Sequence, residues 1–333
     1  MRSLRYFVLL AALLPPALHA QASAPRRFQV EQDGKWGFID NSGKLVIPVK
    51  FSQVQSFAEG LAAVQYQGKW GYIDESGAFS IEPQFRDASE FGDGHAAVEA
   101  NGFWGFIDKS GKFTILPQFD RIMSFVDGPP AVTNDGSEYW QYLDETETGL
   151  SNVVTNIPYG FLEGLTPLEL SGKHGYVDLR GHFVIPPQFD AANGFSESLA
   201  AVEIGGKWGV IDKSGQVVIR PQFDWVMGFS EGLAVVEVKH KNGIIRKDGT
   251  WVLPPTYPFL HSMSESRAAF VDQASGKWGF LDETGNVVIR PQFDTAGSFE
   301  GGLAQVQMQG RLGYIDRNGQ YVWRTRFPQL IQC

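Results

Sequence analysis

The side chains able to do acid–base or metal chemistry recur at fixed intervals instead of gathering. Aspartate stands four residues after a fixed, mostly aromatic position at Asp40, Asp74, Asp108, Asp178, Asp212, Asp282 and Asp316. Such carboxylates would suit general acid–base catalysis or a hard cation. Each, however, opens a turn, where a carboxylate accepts backbone N–H bonds. One identical group per repeat is a requirement of the fold. The histidines His95, His174, His182, His240 and His261 show no His-x-x-x-His zinc spacing, although His174 and His182 flank one hairpin. There is no Gly-Lys-Ser/Thr phosphate loop and no Gly-x-Ser-x-Gly elbow, and Cys333 has no second cysteine to pair with. No catalytic, cofactor-binding or metal-ligating residue is therefore assigned, and the binding residues stay unassigned. Two stretches depart from the pattern. Lys239-His240-Lys241 with Arg246-Lys247 is a locally basic hairpin that would suit an acidic partner. Tyr139, Trp140, Tyr142 and Tyr159 would make an aromatic platform for a glycan or peptide. Drift of a worn repeat is the expectation for both.

One phrase positions these residues. Lys35-Trp36-Gly37-Phe38-Ile39-Asp40 runs into Asn41-Ser42-Gly43-Lys44, and returns at Lys69–Asp74 and around Trp104, Trp208 and Trp278. The Trp position is filled in turn by Trp36, Trp70, Trp104, Trp140, His174, Trp208, Asn242, Trp278 and Leu312. The spacing is 34 residues, with two spacings of 36 that end at Trp140 and Trp278. Nine units of such a period specify a solenoid, propeller or array. Pro-Gln-Phe-Asp recurs at Pro117–Asp120, Pro187–Asp190, Pro221–Asp224 and Pro291–Asp294, and Glu-Gly-Leu-Ala at Glu59–Ala62 and Glu231–Ala234.

Each unit reads as a three-stranded antiparallel meander with very little helix. Its strands are typified by Leu61–Gln65, Trp70–Asp74 and Gln216–Ile219. Asp33-Gly34, Asn101-Gly102 and Gly205-Gly206 are two-residue hairpin turns. The extra residues of the two long spacings fall in this turn, because Val132 and Phe270 precede their Trp by eight residues instead of six. Strands apolar on both sides, such as Trp208–Ile211 and Val217–Ile219, place each sheet between its neighbours. The Gly after Trp is expected to receive an aromatic ring on bare backbone, and paired Ala to permit close approach at an axis. A closed ring or an open superhelix satisfies the pattern. Nine units favour the open form, since propellers usually have about 4–8 blades.

Residues 1–22 read as a secretory signal: Arg2 and Arg5, an apolar run from Tyr6 to Leu14, and cleavage after Ala20 or Ala22. The run is too short for a comfortable span, and no Cys near the cut offers a lipid anchor. Residues 23–333 then form a single domain, with the nine units at about 28–328 and no internal boundary. Losing Arg2 and Arg5 moves the formal charge from −9 to −11, which disfavours nucleic acid and anionic lipid.

The Lys-Trp-Gly-Phe/Tyr-Ile-Asp phrase, the Ser-Gly-Lys turn, Pro-Gln-Phe and Phe-Ser-Glu-Gly-Leu-Ala resemble the WG-repeat, or KWG-repeat, family of bacterial proteins. The resemblance covers essentially the whole mature chain, with departures at Trp-Gly in units four, five, seven and nine. It implies an interaction or structural module without shared enzymatic activity and without catalytic residues to carry over. The expectation is an exported, periplasmic or secreted, monomeric binding scaffold. It would take no cofactor and insert in no membrane after cleavage, and would contact a protein or envelope glycan. The alternatives are a glycan-cleaving hydrolase with its site in a central channel and a purely structural envelope protein.

Overall fold

The computed structural model describes residues 26–325 apart from 124–128, 135, 136, 138, 144–149 and 156–159. The expected signal segment, Tyr159 and Cys333 lie outside the described residues. Every described element is a strand, and these form nine antiparallel sheets, one per unit, in chain order. The sheets are the blades of a β-propeller, numbered 1 to 9 here.

Seven blades have four strands, not three. Blade 2 shows the pattern: Gln53–Ala58, Leu61–Tyr66, Lys69–Asp74 and Phe79–Phe85, paired in that order. The additional strand comes first in the unit, directly after the Pro-Gln-Phe-Asp corner. Elsewhere it shrinks to two residues, as in Asp87–Ala88, Ala191–Ala192 and Trp225–Val226. So short a strand shows no alternation, and in the sequence it passes for a loop. Blades 1 and 5 have three described strands, and the residues that would supply their first lie outside the described set.

In seven blades the hairpin between second and third strands has positive φ at both turn residues, 52° and 73° at Asp33-Gly34 and 51° and 62° at Lys239-His240. That is the type I′ geometry whose twist matches the strands. Packing between blades explains the residue types. Phe38, Ile47 and Phe51 of blade 1 meet Ala62, Val64 and Ile73 of blade 2. Tyr72, Ile81 and Phe85 of blade 2 meet Ala88, Ala96, Val98 and Ile107 of blade 3. One face of a blade is bulky and the facing one small, so the paired Ala make room for the rings of the preceding blade. Burying each ring stabilises the stack by about 1.5–3 kcal/mol. The cover stops at the outer strand, where Val217 and Val218 are 46% and 45% exposed while Ile219 is buried. Blades radiating from an axis diverge there, and their outer edges are left to solvent.

The Gly after Trp has a different cause from the one its neighbours suggest. A Cβ on Gly209 would stand 2.6 Å from the Ile219 carbonyl oxygen and 2.8 Å from the Pro221 nitrogen. The outer strand bulges here, since Trp208 pairs with Phe223 and Val210 with Ile219. Backbone, not a ring, therefore presses on this glycine. Ring atoms are among the nearest neighbours at Gly243, Gly279 and Gly313 as well. Blade 4 has Gln141 at the position, and there the residue pairs directly with Val154.

The array closes. Turn glycines pack on an outer-strand aliphatic of the preceding blade, Gly77 on Ile47 and Gly319 on Ile289; Gly43 of blade 1 packs on the backbone and side chain of Val322 of blade 9. Phe28, Val30 and Ile39 share a core with Leu303 and Tyr314. The Tyr314 hydroxyl donates to the Gln29 carbonyl at 2.9 Å, and Phe28 and Tyr314 lie 5.4 Å apart. These contacts exclude the open superhelix. Nine thin sheets fill the circle because small residues on one face of each blade let neighbours pack closely.

Candidate functional site

The repeated aspartates are consumed by the turns they open. Asp40 Oδ1 accepts from the Ser42 N–H at 2.9 Å, the Ser42 hydroxyl at 2.6 Å and the Lys44 N–H at 3.1 Å. The same set recurs at Asp74, Asp108, Asp212 and Asp282, and its backbone part at Asp178 and Asp316. The Ser42 hydroxyl and the turn N–H groups hold the Asp40 carboxyl below the usual carboxylate range. Blade 7, with Arg246 at the position, uses Asp248 to receive Thr250 instead.

Two further polar belts were not read from the sequence. On the face carrying the Asp-x-Ser/Thr-Gly turns, glutamates reach across to the next blade. Glu59 accepts the Gly94 N–H at 3.1 Å and pairs with Lys109 at 3.0 Å. Glu163 does so with Ser198 and Lys213, Glu197 with Gly232 and Lys247, and Glu265 with Gly302 and Arg317. Burial opposes ionisation of Glu59, but Lys109 and the Gly94 N–H outweigh it and keep the carboxyl below its ordinary value. The signal was a cation 50 or 52 residues after each of these glutamates. Of the five interfaces without the pair, two have both positions among the described residues. Glu231 receives only the backbone of Glu265 and Ser266, and Glu283 stands where the cation would be. At the seam Gly301 replaces the glutamate and Asn41 the cation, and the Asn41 amide donates to the Gly301 carbonyl. On the opposite, hairpin face, Asp190, Asp224 and Asp294 of the corners pair with Lys173, Lys207 and Lys277. They also accept the N–H groups of Gly205, Lys239 and Gln309. This accounts for the Lys of Lys-Trp-Gly and the Asp of Pro-Gln-Phe-Asp.

With the repeated groups accounted for, the exposed aromatic departures Tyr139, Trp225 and Phe259 lie on the hairpin face. The structure divides the basic hairpin between the two faces. Lys239, His240 and Lys241 lie at one end of the strand Lys241–Arg246, and Lys247 lies beyond the other, spent on Glu197. A six-residue strand holds its ends roughly 17 Å apart. His174 and His182 likewise sit at opposite ends of the strand Lys173–Val177 and do not meet.

Two patches remain. In blade 4, Tyr142 is buried against Phe161, 4.9 Å away, while Tyr139 is 62% exposed. The Arg121 guanidinium stands 4.9 Å from the Trp140 ring. Tyr139, Trp140, Leu150 and Val154 line a cleft of about 200 Å³ floored by Thr133 and Gln141. Of the described members of the expected platform, Tyr139 and Trp140 line the cleft and Tyr142 does not. The second patch spans blades 7 and 8. Trp225 and Phe259 occupy the same register, directly after the corner, and are 43% and 46% exposed. Trp225 lies over Trp208 at 4.5 Å, and Phe259 contacts Trp278 at 5.5 Å and His261 at 5.4 Å. Burial pushes the His261 imidazole below its ordinary pKa, so the ring is neutral at pH 7.

The fold and these patches define a class: a closed nine-bladed propeller of tandem repeats whose individuality lies on one rim. The family model described as WG containing repeat matches residues 36–70, 70–102, 104–128, 175–208, 208–241, 243–272 and 278–311. The chain belongs to that family. Among solved structures, a eukaryotic initiation factor is similar at 12% identity with a TM-score of 0.59, over 91% of this chain and 96% of that one. The dihydro-heme d1 dehydrogenase NirN in complex with DHE matches at 11% identity and a TM-score of 0.45, over 94% and 75% of the two chains. AztD of Citrobacter koseri matches at 12% and 0.40, over 87% and 91%. The first likeness concerns the fold alone. No curated protein matches the chain.

Proposed function

We propose that this protein is an exported, non-catalytic binding scaffold that engages a protein or envelope polymer through its hairpin face. The observation that carries the reading is the division of labour just described. The repeated carboxylates and lysines are occupied in holding turns and blades, while exposed aromatic departures from the repeat concentrate on one face. Repeat proteins commonly bind through such extended surfaces. The contacts between blades 9 and 1 support a monomer, since the chain completes its own ring. The Arg2, Arg5 and Tyr6–Leu14 pattern supports export. Among the described residues no helix is long and apolar enough to cross a membrane.

The test compares three full mature chains on an envelope extract: wild type, a hairpin-face variant (Tyr139→Ala, Trp225→Ala, Phe259→Ala) and a turn-face variant (Glu75→Ala, Glu283→Ala). Capture that is lost only in the first variant is the expected result. Capture that is equal in all three, or turnover of a glycan panel abolished by one substitution, would overturn the reading. N-terminal sequencing of the periplasmic or secreted protein should begin at Gln21 or Ser23.

A further inference from the structure

We infer that the junction of blades 7 and 8 on the hairpin face is a carbohydrate subsite that takes one neutral pyranose ring of an oligosaccharide. The inference rests on the scaffold reading and names the ligand class of its hairpin face. Two tryptophans at the repeated position pack on a ring of a first strand. Trp208 of blade 6 meets Trp225 of blade 7, and Trp278 of blade 8 meets Phe259 of its own blade. Blade 7 has Asn242 instead. The two exposed rings pack on neighbouring tryptophans, Trp225 on Trp208 and Phe259 on Trp278. The space that the missing indole vacates at Asn242 is the notch we infer, with the amide beside it. The Asn242 amide donates once, to the Pro258 carbonyl at 3.0 Å; its other proton and its oxygen have no partner among the described residues.

The surroundings are unique to this junction. Tyr257 replaces the corner phenylalanine and packs on Phe270, 4.5 Å away. The two-residue insertion of blade 8 brings Gln273 to Lys241. The neighbouring carboxylates each have a partner: Asp224 the Lys207 ammonium at 2.5 Å, Glu237 the His240 ring at 3.3 Å and Asp272 the Ser275 hydroxyl at 2.6 Å. Exposed rings without an unengaged carboxylate favour the C–H face of a neutral sugar over a cation, and an amide between them suits its hydroxyls. In other blades the register of Trp225 and Phe259 holds Gln53, Asp87, Arg121, Ala191 and Thr295, so the ring pair is particular to this site.

The experiment is calorimetric titration of the full mature chain with chitohexaose, cellohexaose and maltohexaose, and with tetramethylammonium as the cationic control. The variants borrow residues that other blades carry at these positions. Asn242→Trp refills the notch, Phe259→Thr and Trp225→Ala remove its walls, and Glu283→Ala on the turn face is the control. The expected result is a Kd below about 1 mM for at least one hexasaccharide. Asn242→Trp and Phe259→Thr should weaken it at least ~10-fold, and Glu283→Ala should leave it unchanged. Phe259→Thr decides the matter if Asn242→Trp fails to fold. No saccharide binding, binding unchanged in both notch variants, or a response to tetramethylammonium alone would overturn the inference. Failure here with envelope capture still lost in the hairpin-face variant overturns the saccharide subsite and leaves the scaffold standing. Capture unaffected by that variant overturns the scaffold.

Discussion

At the scale of single residues, carboxylates join the blades on both faces of the ring. The glutamates Glu59, Glu163, Glu197 and Glu265 are held ionised below their ordinary pKa, burial being outweighed by a cation and a backbone N–H in each case. A folded-state pKa below the unfolded one gives stability that is present above about pH 4.3 and lost as pH falls through the folded value. Melting temperature should therefore be flat from about pH 7 to 5 and fall below about pH 4. Changing all four to Gln should flatten that fall. Each single change should cost on the order of 0.5–1 kcal/mol at neutral pH, because the cations remain largely in water. Thermal melts across pH would check both. The turn role of Asp212 was legible because its partners lie within four residues. The Glu197–Lys247 pair was not, since its members belong to different blades and local patterning does not link them.

At the scale of elements, the bulge of the outer strand dictates the glycine after tryptophan. Gly209→Ala should cost about 1–3 kcal/mol, because backbone at 2.6 Å must move. Gly228→Ala, whose Cβ would meet Ser196 at an ordinary 3.5 Å, should stay within about 0.5 kcal/mol. Urea denaturation of the two variants separates them. The period and the hairpin turns could be read from Asp33-Gly34 and its counterparts, which have the residue types a type I′ turn demands. The first strand could not, since Trp225–Val226 is two residues long and held mainly by the next strand and the neighbouring blade. The outer edges show one more regularity: blades 1–3 and 5–8 carry proline there, from Pro48 to Pro291, which blocks further strand pairing. Blade 4, with Leu150–Thr155, has none.

At the scale of the whole molecule, closure was the feature the sequence left open, because every interface but one joins consecutive units. Tyr314 offers the test. Its hydroxyl bonds across the seam as that of Tyr72 bonds to Ser89 between blades 2 and 3. Burial raises the Tyr314 hydroxyl to about 12, as expected of a group kept from water. In a closed ring Tyr314→Phe and Tyr72→Phe should each cost about 1 kcal/mol in denaturant midpoints. In an open chain of blades the first would cost nothing.

The paired replacement of glutamate by Gly301 and of cation by Asn41 has a mechanical corollary. Stretched between its two ends in an optical trap, the molecule bears the load first where blades 9 and 1 meet. That joint has an amide-to-carbonyl bond and the solvent-exposed Arg26–Glu300 contact in place of the buttressed ion pair used at four other joints. The first rupture should come at lower force than those that follow and release little chain, after which the sheets peel away one at a time.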